Sequence, residues 1–250
     1  MKANLKIYNR IGDLRSLTKA SFKATVAIYI DGFLEDAVTC VTALKSNSGA
    51  DIAIYILVSG DLDITALEPL LDERTFIVQI TQGVGWGEAN NALLKLANSS
   101  AVIIMDPSTI VQGDAISPAL EKIANLEFCA AGWRGGLVNV EDEWRSVDDK
   151  GVGEVDVLFG YFMAVNRDAA LEVGGFNSRA VYYRNADMEF SLKLRQAQGR
   201  LWQMDLPLEQ ARHHGYYDAD PEYRETQSKK TYDRILDRFR GKNEILVARR

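Results

Sequence analysis

The chain has 250 residues, 47% hydrophobic and 26% charged, an ordinary globular composition that can support a sizeable core. Its 29 Lys and Arg stand against 35 Asp and Glu, a formal net charge of −6 that argues against a basic nucleic-acid grip. Five Pro and 19 Gly exclude collagen-like character, and two cysteines, Cys40 and Cys129, without metal-ligand spacing read as buried free thiols in a reducing compartment.

Residues 1–23 carry Lys2, Lys6, Arg10, Arg15, Lys19 and Lys23 against Asp13 alone. The segment reads as a solvated peripheral helix, or as one that touches an anionic membrane surface or a partner. It is too polar for a signal peptide. The longest strongly apolar run, Ile52–Val58, is far short of the about 18 residues of a membrane span. A soluble cytoplasmic protein, or a soluble piece of a longer chain, is the expectation, with peripheral contact at the inner membrane face as its extension.

Apolar runs at Ala24–Ile30, Ile52–Val58, Thr75–Ile80 and Ala101–Met105 predict strands buried on both faces. Helical spacing predicts helices over Leu34–Lys45, Ile64–Leu71, Gly87–Asn98 and Ile116–Ala124. This alternation implies a Rossmann-like α/β layer with right-handed crossovers. The second half is less regular. Phe128–Trp133, Val155–Val165 and Arg200–Leu206 read as strands, and Ala186–Gln198 as a helix stopped by Gly199. The polar stretch 215–232 reads as a mobile loop. No linker marks a second domain.

Ligands of open α/β sheets bind at the carboxyl ends of the strands. The residues following each strand are therefore the candidates: Asp31; Ser59 to Asp63, with Asp61; Gln82 to Asn91; and Asp106 to Thr109. Each is weak alone. Asp31 and Asp61 also suit turns and caps. Gly83-Val84-Gly85-Trp86-Gly87 lacks the lysine of a phosphate-binding loop. Asp187 also suits a helix's first turn, where the dipole favours an acid. Tyr182 and Tyr183 suit a sugar platform or core packing equally.

The ordered set, from Val26 to Gly215, resembles the family-2 glycosyltransferases of the GT-A fold. Gly85-Trp86-Gly87-Glu88-Ala89-Asn90-Asn91 looks like the family's GFGxxNN segment. Val102 to Thr109 is similar to its apolar strand ending in (D/N)-P-D-T. Gly160 to Arg167, leading into Val173-Gly174-Gly175-Phe176-Asn177, resembles the segment ending in GGF. Ala186-Asp187-Met188-Glu189 to Arg195 resembles the helix that opens with Glu-Asp, and His213-His214-Gly215 the family's VHHGG.

The resemblance implies a GT-A three-layer α/β sandwich with a mostly parallel central sheet. Residues 24–250 would be one domain, 24–110 binding nucleotide and 111–250 the acceptor. It implies an inverting hexosyl- or deoxyhexosyltransferase of polysaccharide biosynthesis, using a nucleotide diphosphate sugar and a glycan or lipid-linked acceptor. The Gly-rich segment points to a uridine or deoxythymidine donor. Asp187 would be the base. Asp106 and His214 would hold a divalent cation, Mg or Mn. Asp31, Asp61, Asn91 and Asp106 would contact the nucleotide, and Trp133, Gly160 and Tyr161 the sugar and acceptor. Two positions depart from the pattern. Ser108 stands where the metal motif has its second acid, which leaves a hydroxyl as a neutral ligand and a weakly bound cation. Ala186 replaces the Glu before the base. A catalytically degenerate domain that binds nucleotide or sugar without transfer is the alternative. Gly174-Gly175-Phe176 is expected to be a positive-φ turn followed by an aromatic anchor.

Overall fold

The computed structural model describes residues 4–48 and 51–249. In it the four apolar runs of the first half lie side by side. Ile52–Ser59, Thr75–Ile80 and Ala101–Met105 are buried throughout, and Ala24–Ile30 everywhere but Tyr29. Ala24–Ile30 pairs in parallel with Ile52–Ser59 on one side and Ala101–Met105 on the other, while Thr75–Ile80 flanks Ile52–Ser59. The connections therefore reverse direction between Ala24–Ile30 and Ala101–Met105. Loops leaving two adjacent strands at such a switch point diverge and open a crevice. Asp31 and Asp106 are the first residues beyond those strands, and the parallel register sets both at its mouth.

Strand side chains alternate between faces, so each face takes its own helices. Val26, Ile28 and Ile30 pack with Val41 and Leu44 of the Leu34–Asn47 helix and with Ile116 of the Ile116–Ala124 helix. Ala27 packs on the other face, with Leu93 of the Trp86–Leu96 helix and Phe190 of the Ala186–Gln196 helix. The result is the expected three-layer sandwich.

The second half extends this sheet. Phe162–Asn166 runs antiparallel to Ala101–Met105 and to Ala130–Gly132. Leu201–Gln203 then joins in parallel, and Gly153–Val155 closes the edge antiparallel. The sheet has nine strands among the described residues.

Several expectations are corrected. Among its described residues the basic N-terminal segment forms no α-helix, only a single 3-10 turn at Ile11–Asp13. Leu5–Tyr8 is the other edge strand, parallel to Thr75–Ile80, and Lys6 Nζ donates to the Ser16 carbonyl at 3.0 Å. Lys2 lies outside the described residues. The run Val155–Val165 is broken at the fully buried Asp156, whose carboxylate accepts from the amides of Val138 and Val247 and from Arg249. The stretch 215–232 is largely helical. His214–Tyr217 forms a short turn of helix, and Pro221–Phe239 a long one whose Asp220 cap accepts from the Tyr223 amide at 2.7 Å. Cys40 is buried as expected, whereas Cys129 is only half-buried. No helix among the described residues is long and apolar enough to cross a membrane.

Candidate active site

Past Asp106, Thr109–Val111 pairs antiparallel with Leu208–Gln210, and the Ala211 amide donates to the Ser108 carbonyl at 2.9 Å. This two-stranded ladder carries the chain back over the crevice and delivers His213 to Asp106. The imidazole Nε2 lies 3.2 Å from Asp106 Oδ2. It is close enough for charge attraction but badly aligned for a hydrogen bond, and both buried ring nitrogens lack a hydrogen-bond partner among the described residues. The Tyr183 ring stacks on the imidazole, centroids 4.6 Å apart. Asp106 Oδ1 accepts from the Ser108 hydroxyl at 2.5 Å and the Ser108 amide at 2.8 Å. Burial alone would raise the Asp106 carboxyl, but His213 and the Ser108 donors hold it below the usual carboxylate range.

One expectation changes at this corner. His214 does not reach Asp106. Its ring stacks on Phe33, with Nδ1 2.6 Å from Asp218 and Nε2 3.5 Å from Asp36. The Ser108 hydroxyl gives its proton to Asp106, which orients the carboxylate and leaves the hydroxyl oxygen's lone pairs free. No cluster of three or more metal-ligating side chains occurs among the described residues. Asp106 and His213 nevertheless fit a divalent cation. They offer a carboxylate oxygen and an orphaned imidazole nitrogen, and such ions commonly take the remaining ligands from substrate phosphates and water.

Asp187 stands in the first turn of the Ala186–Gln196 helix, after Asn185 in the left-handed region at φ 69°. Its Oδ1 accepts from the Met188 amide and its Oδ2 from the Gly160 amide, each at 2.8 Å. The first-turn reading is therefore correct as far as it goes. Burial nevertheless pushes the carboxyl up to about 6, against the pull of those amides. Preceding Ala186 is 1% exposed and packed in the core, leaving no second carboxylate beside it.

Two cavities meet here. A cleft of about 660 Å³ is lined by Gly160, Tyr161 and Asp187, with Glu225, Lys229 and Tyr232 contributed by the Pro221–Phe239 helix. A smaller cavity of about 120 Å³ is lined by Asp31, Phe33, Asp36, Tyr182, His213 and Tyr223. Trp86, Asp106 and Tyr183 line both. Asp31 and Asp106 are thus brought together with His213, and Gly160, Tyr161 and Asp187 join them from the larger side. Sequence reasoning missed His213, Asp36 and the helix residues.

Three candidates lie elsewhere. Asp61 is exposed on its loop and lines neither cavity. Trp133 packs partly buried against the core, and its neighbour Arg134 reaches the cleft instead. Asn91 is used by the fold. Its Nδ2 donates to the Phe176 carbonyl at 2.9 Å and its Oδ1 accepts from the Phe176 amide at 2.7 Å, so both ends of the amide are taken. Gly85 and Gly87 serve the same junction. A Cβ on Gly87 would sit 2.1 Å from the Asn177 carbonyl oxygen, and the Gly87 amide donates to the Ala180 carbonyl at 2.8 Å. Gly174 and Gly175 turn at φ 75° and 61°, and Phe176 anchors against Trp86 and Phe190, as expected.

No protein-family profile matches the chain, and no curated protein matches it. Solved structures do. One is GalNAc-T7 with UDP, GalNAc and Mn²⁺, at TM-score 0.65 and 12% identity, covering 88% of this chain and 48% of that one. Another is the mannosyltransferase PcManGT from Pyrobaculum calidifontis in complex with GDP-Man and Mn²⁺, at TM-score 0.60 and 15% identity, covering 80% and 60%. The chain has the GT-A glycosyltransferase fold. It spans less than two thirds of the length of either neighbour. In GT-A terms, the crevice beside Asp31 and Asp106 is the switch point of the Rossmann-like half. The larger cleft is walled by what the second half adds.

Proposed function

We propose that this chain is a glycosyltransferase that moves a sugar from a nucleoside diphosphate sugar to an acceptor hydroxyl, with inversion. The observation that carries the reading is the meeting of the two cavities at Asp106. The smaller one suits a nucleoside, with Asp31 to accept ribose or base donors and Phe33, Tyr182 and Tyr223 as aromatic walls. The larger one has room for the sugar and the acceptor, with Asp187 on its wall.

Asp187 takes the acceptor proton as the acceptor oxygen attacks the anomeric carbon and the bond to the diphosphate breaks. A carboxyl near 6 suits this role, since it is ionised at neutral pH yet basic enough to accept a proton. The Gly160 and Met188 amides fix its orientation. Asp106 and His213 would hold a divalent cation, which would supply charge neutralisation for the leaving diphosphate. Ser108 orients Asp106. Tyr183 orients His213.

A non-catalytic nucleotide or sugar binder is the second reading, favoured by the buried Ala186 beside Asp187. A thermal-shift panel of UDP, dTDP and GDP with Mn²⁺ or Mg²⁺, followed by donor hydrolysis, separates the outcomes. A nucleotide at about 100 times its dissociation constant stabilises by about 2.7 kcal/mol. Stabilisation with hydrolysis supports the transferase. Stabilisation without turnover of any donor supports the binder. No shift with any of them overturns the transferase and the nucleotide-binding form of the second reading.

A further inference from the structure

The larger cleft is lined by four cationic side chains, Arg134, Arg145, Arg184 and Lys229, against the acids Asp106, Asp187 and Glu225. No Lys or Arg lines the smaller cavity. This concentration of positive charge occurs in a chain of net charge −6. Two of the four cations have acidic partners. Arg145 pairs with Glu143 at 3.2 Å and Lys229 with Asp233 at 2.7 Å. Arg134 and Arg184 have no ion-pair partner within 4 Å among the described residues, although Arg134 is near enough to Asp149 to help lower its carboxyl.

Both arginines are steadied by neutral groups instead. The Arg134 guanidinium lies 4.2 Å from the centre of the Trp133 ring and 5.4 Å from that of Tyr161, and it gives one N–H to Gln210 Oε1 at 3.0 Å. Arg184 lies 5.5 Å from the centre of the Tyr216 ring. Contact with a ring face occupies the flat side of a guanidinium and leaves its edge donors for a planar or tetrahedral anion. Arg184 is three residues before Asp187, and Arg134 directly follows the Gly132-Trp133 turn at the end of a sheet strand. The diphosphate of a donor would be neutralised at the corner shared by the cavities, by the cation that Asp106 and His213 would hold. Farther into the cleft the unspent charge faces what must enter there, which is the acceptor.

We propose that the acceptor is an acidic saccharide, carrying a carboxylate or a phosphate, and that Arg134 and Arg184 hold that group while a hydroxyl faces Asp187. The proposal rests on the transferase reading above. Its test uses matched oligosaccharides. Oligogalacturonides are paired with neutral oligogalactosides, and phosphorylated sugars with their dephosphorylated counterparts. Binding is measured by saturation-transfer NMR and calorimetry to the parent protein and to the Arg134→Gln/Arg184→Gln double variant. Both positions are exposed, so the variant is expected to fold, and its melting temperature checks this.

The expected result is preference for the acidic member of at least one pair by about ten-fold or more. Added salt should erode it, and the double variant should lose it by about 10- to 100-fold, the range of a charge-assisted hydrogen bond. The nucleotide-induced thermal shift should persist. Which pair responds tells carboxylate from phosphate. Equal binding of neutral saccharides, no binding of any acidic one, or unchanged acidic binding in the variant overturns the proposal. So does loss of the nucleotide shift in the variant, since the arginines would then serve the diphosphate. Absence of a nucleotide shift in the parent protein instead defeats the transferase reading, and the saccharide comparison still decides this one.

Discussion

Asp106 and Asp187 line one cleft, both largely buried, and their proton affinities move in opposite directions. Asp106 sits in the corner made by the Rossmann-like half, facing an imidazole and two donors from Ser108, and stays below the usual range. Asp187 sits in the half added by the later strands, accepting hydrogen bonds only from backbone amides, and burial, with a smaller push from the Asp106 charge, raises it to about 6. Burial is the first cause for each, and the neighbours decide the sign. Two carboxyls whose environments push them apart can divide work between them. One stays charged beside a cation and the other exchanges a proton near neutrality.

Removing the proton acceptor tests this division most severely. Asp187→Asn should lower turnover by about 10²–10⁴-fold while nucleotide affinity holds. An amide keeps an acceptor for only one of the two N–H groups, so a small fall in melting temperature is expected as well. In the parent, the working form is the carboxylate, so kcat/KM should fall with decreasing pH by about ten-fold per unit below about 6. That limb should be missing from the residual activity of the variant. Turnover equal to the parent's would reduce Asp187 to a first-turn acid and end the comparison.

The other corner is broken at its histidine. His213→Ala should weaken Mn²⁺-dependent nucleotide binding by about 10- to 100-fold, whereas His214→Ala, which removes contacts to Asp36, Asp218 and Phe33, should leave the metal dependence in place. Isothermal titration with and without Mn²⁺ reads the difference, and the reverse result would return the role to His214.

Which of two adjacent histidines meets Asp106 was not legible in the sequence. It depends on the register of a three-residue ladder, with Gln210 opposite Thr109, and short ladders give little periodic signal. The Rossmann-like half was legible because strands covered on both faces read as unbroken apolar runs. The Pro221–Phe239 helix was hidden for the opposite reason. It buries little beyond Ser228, Thr231, Ile235 and Phe239, and its polar composition outweighed the Asp220-Pro221 start signal. Leu5–Tyr8 was masked by the basic residues around it. Asn91 shows a further limit. Its motif was recognisable, but only in the fold does the side chain clamp Phe176, 85 residues away, and so fasten one half of the site to the other.

The smallest expected effect falls on Ser108, whose side chain is 2% exposed and directed at Asp106. Its hydroxyl proton stabilises the charged carboxylate and fixes which oxygen turns toward His213. Ser108→Ala removes that bond and keeps the backbone donor, so Asp106 should bind a cation less well without losing it. Partners that orient a metal ligand are commonly worth about 10- to 100-fold in affinity, and the retained Ser108 amide argues for the lower end, about ten-fold. The same change should leave the acid limb of the pH profile near 6, because Ser108 has no contact with Asp187. A variant with weaker Mn²⁺ dependence and an unmoved limb would confirm that the two carboxyls are tuned independently. If Ser108→Ala shifted the limb instead, Asp106 and Asp187 would titrate as a coupled pair, and the separate roles drawn from their surroundings would have to be given up.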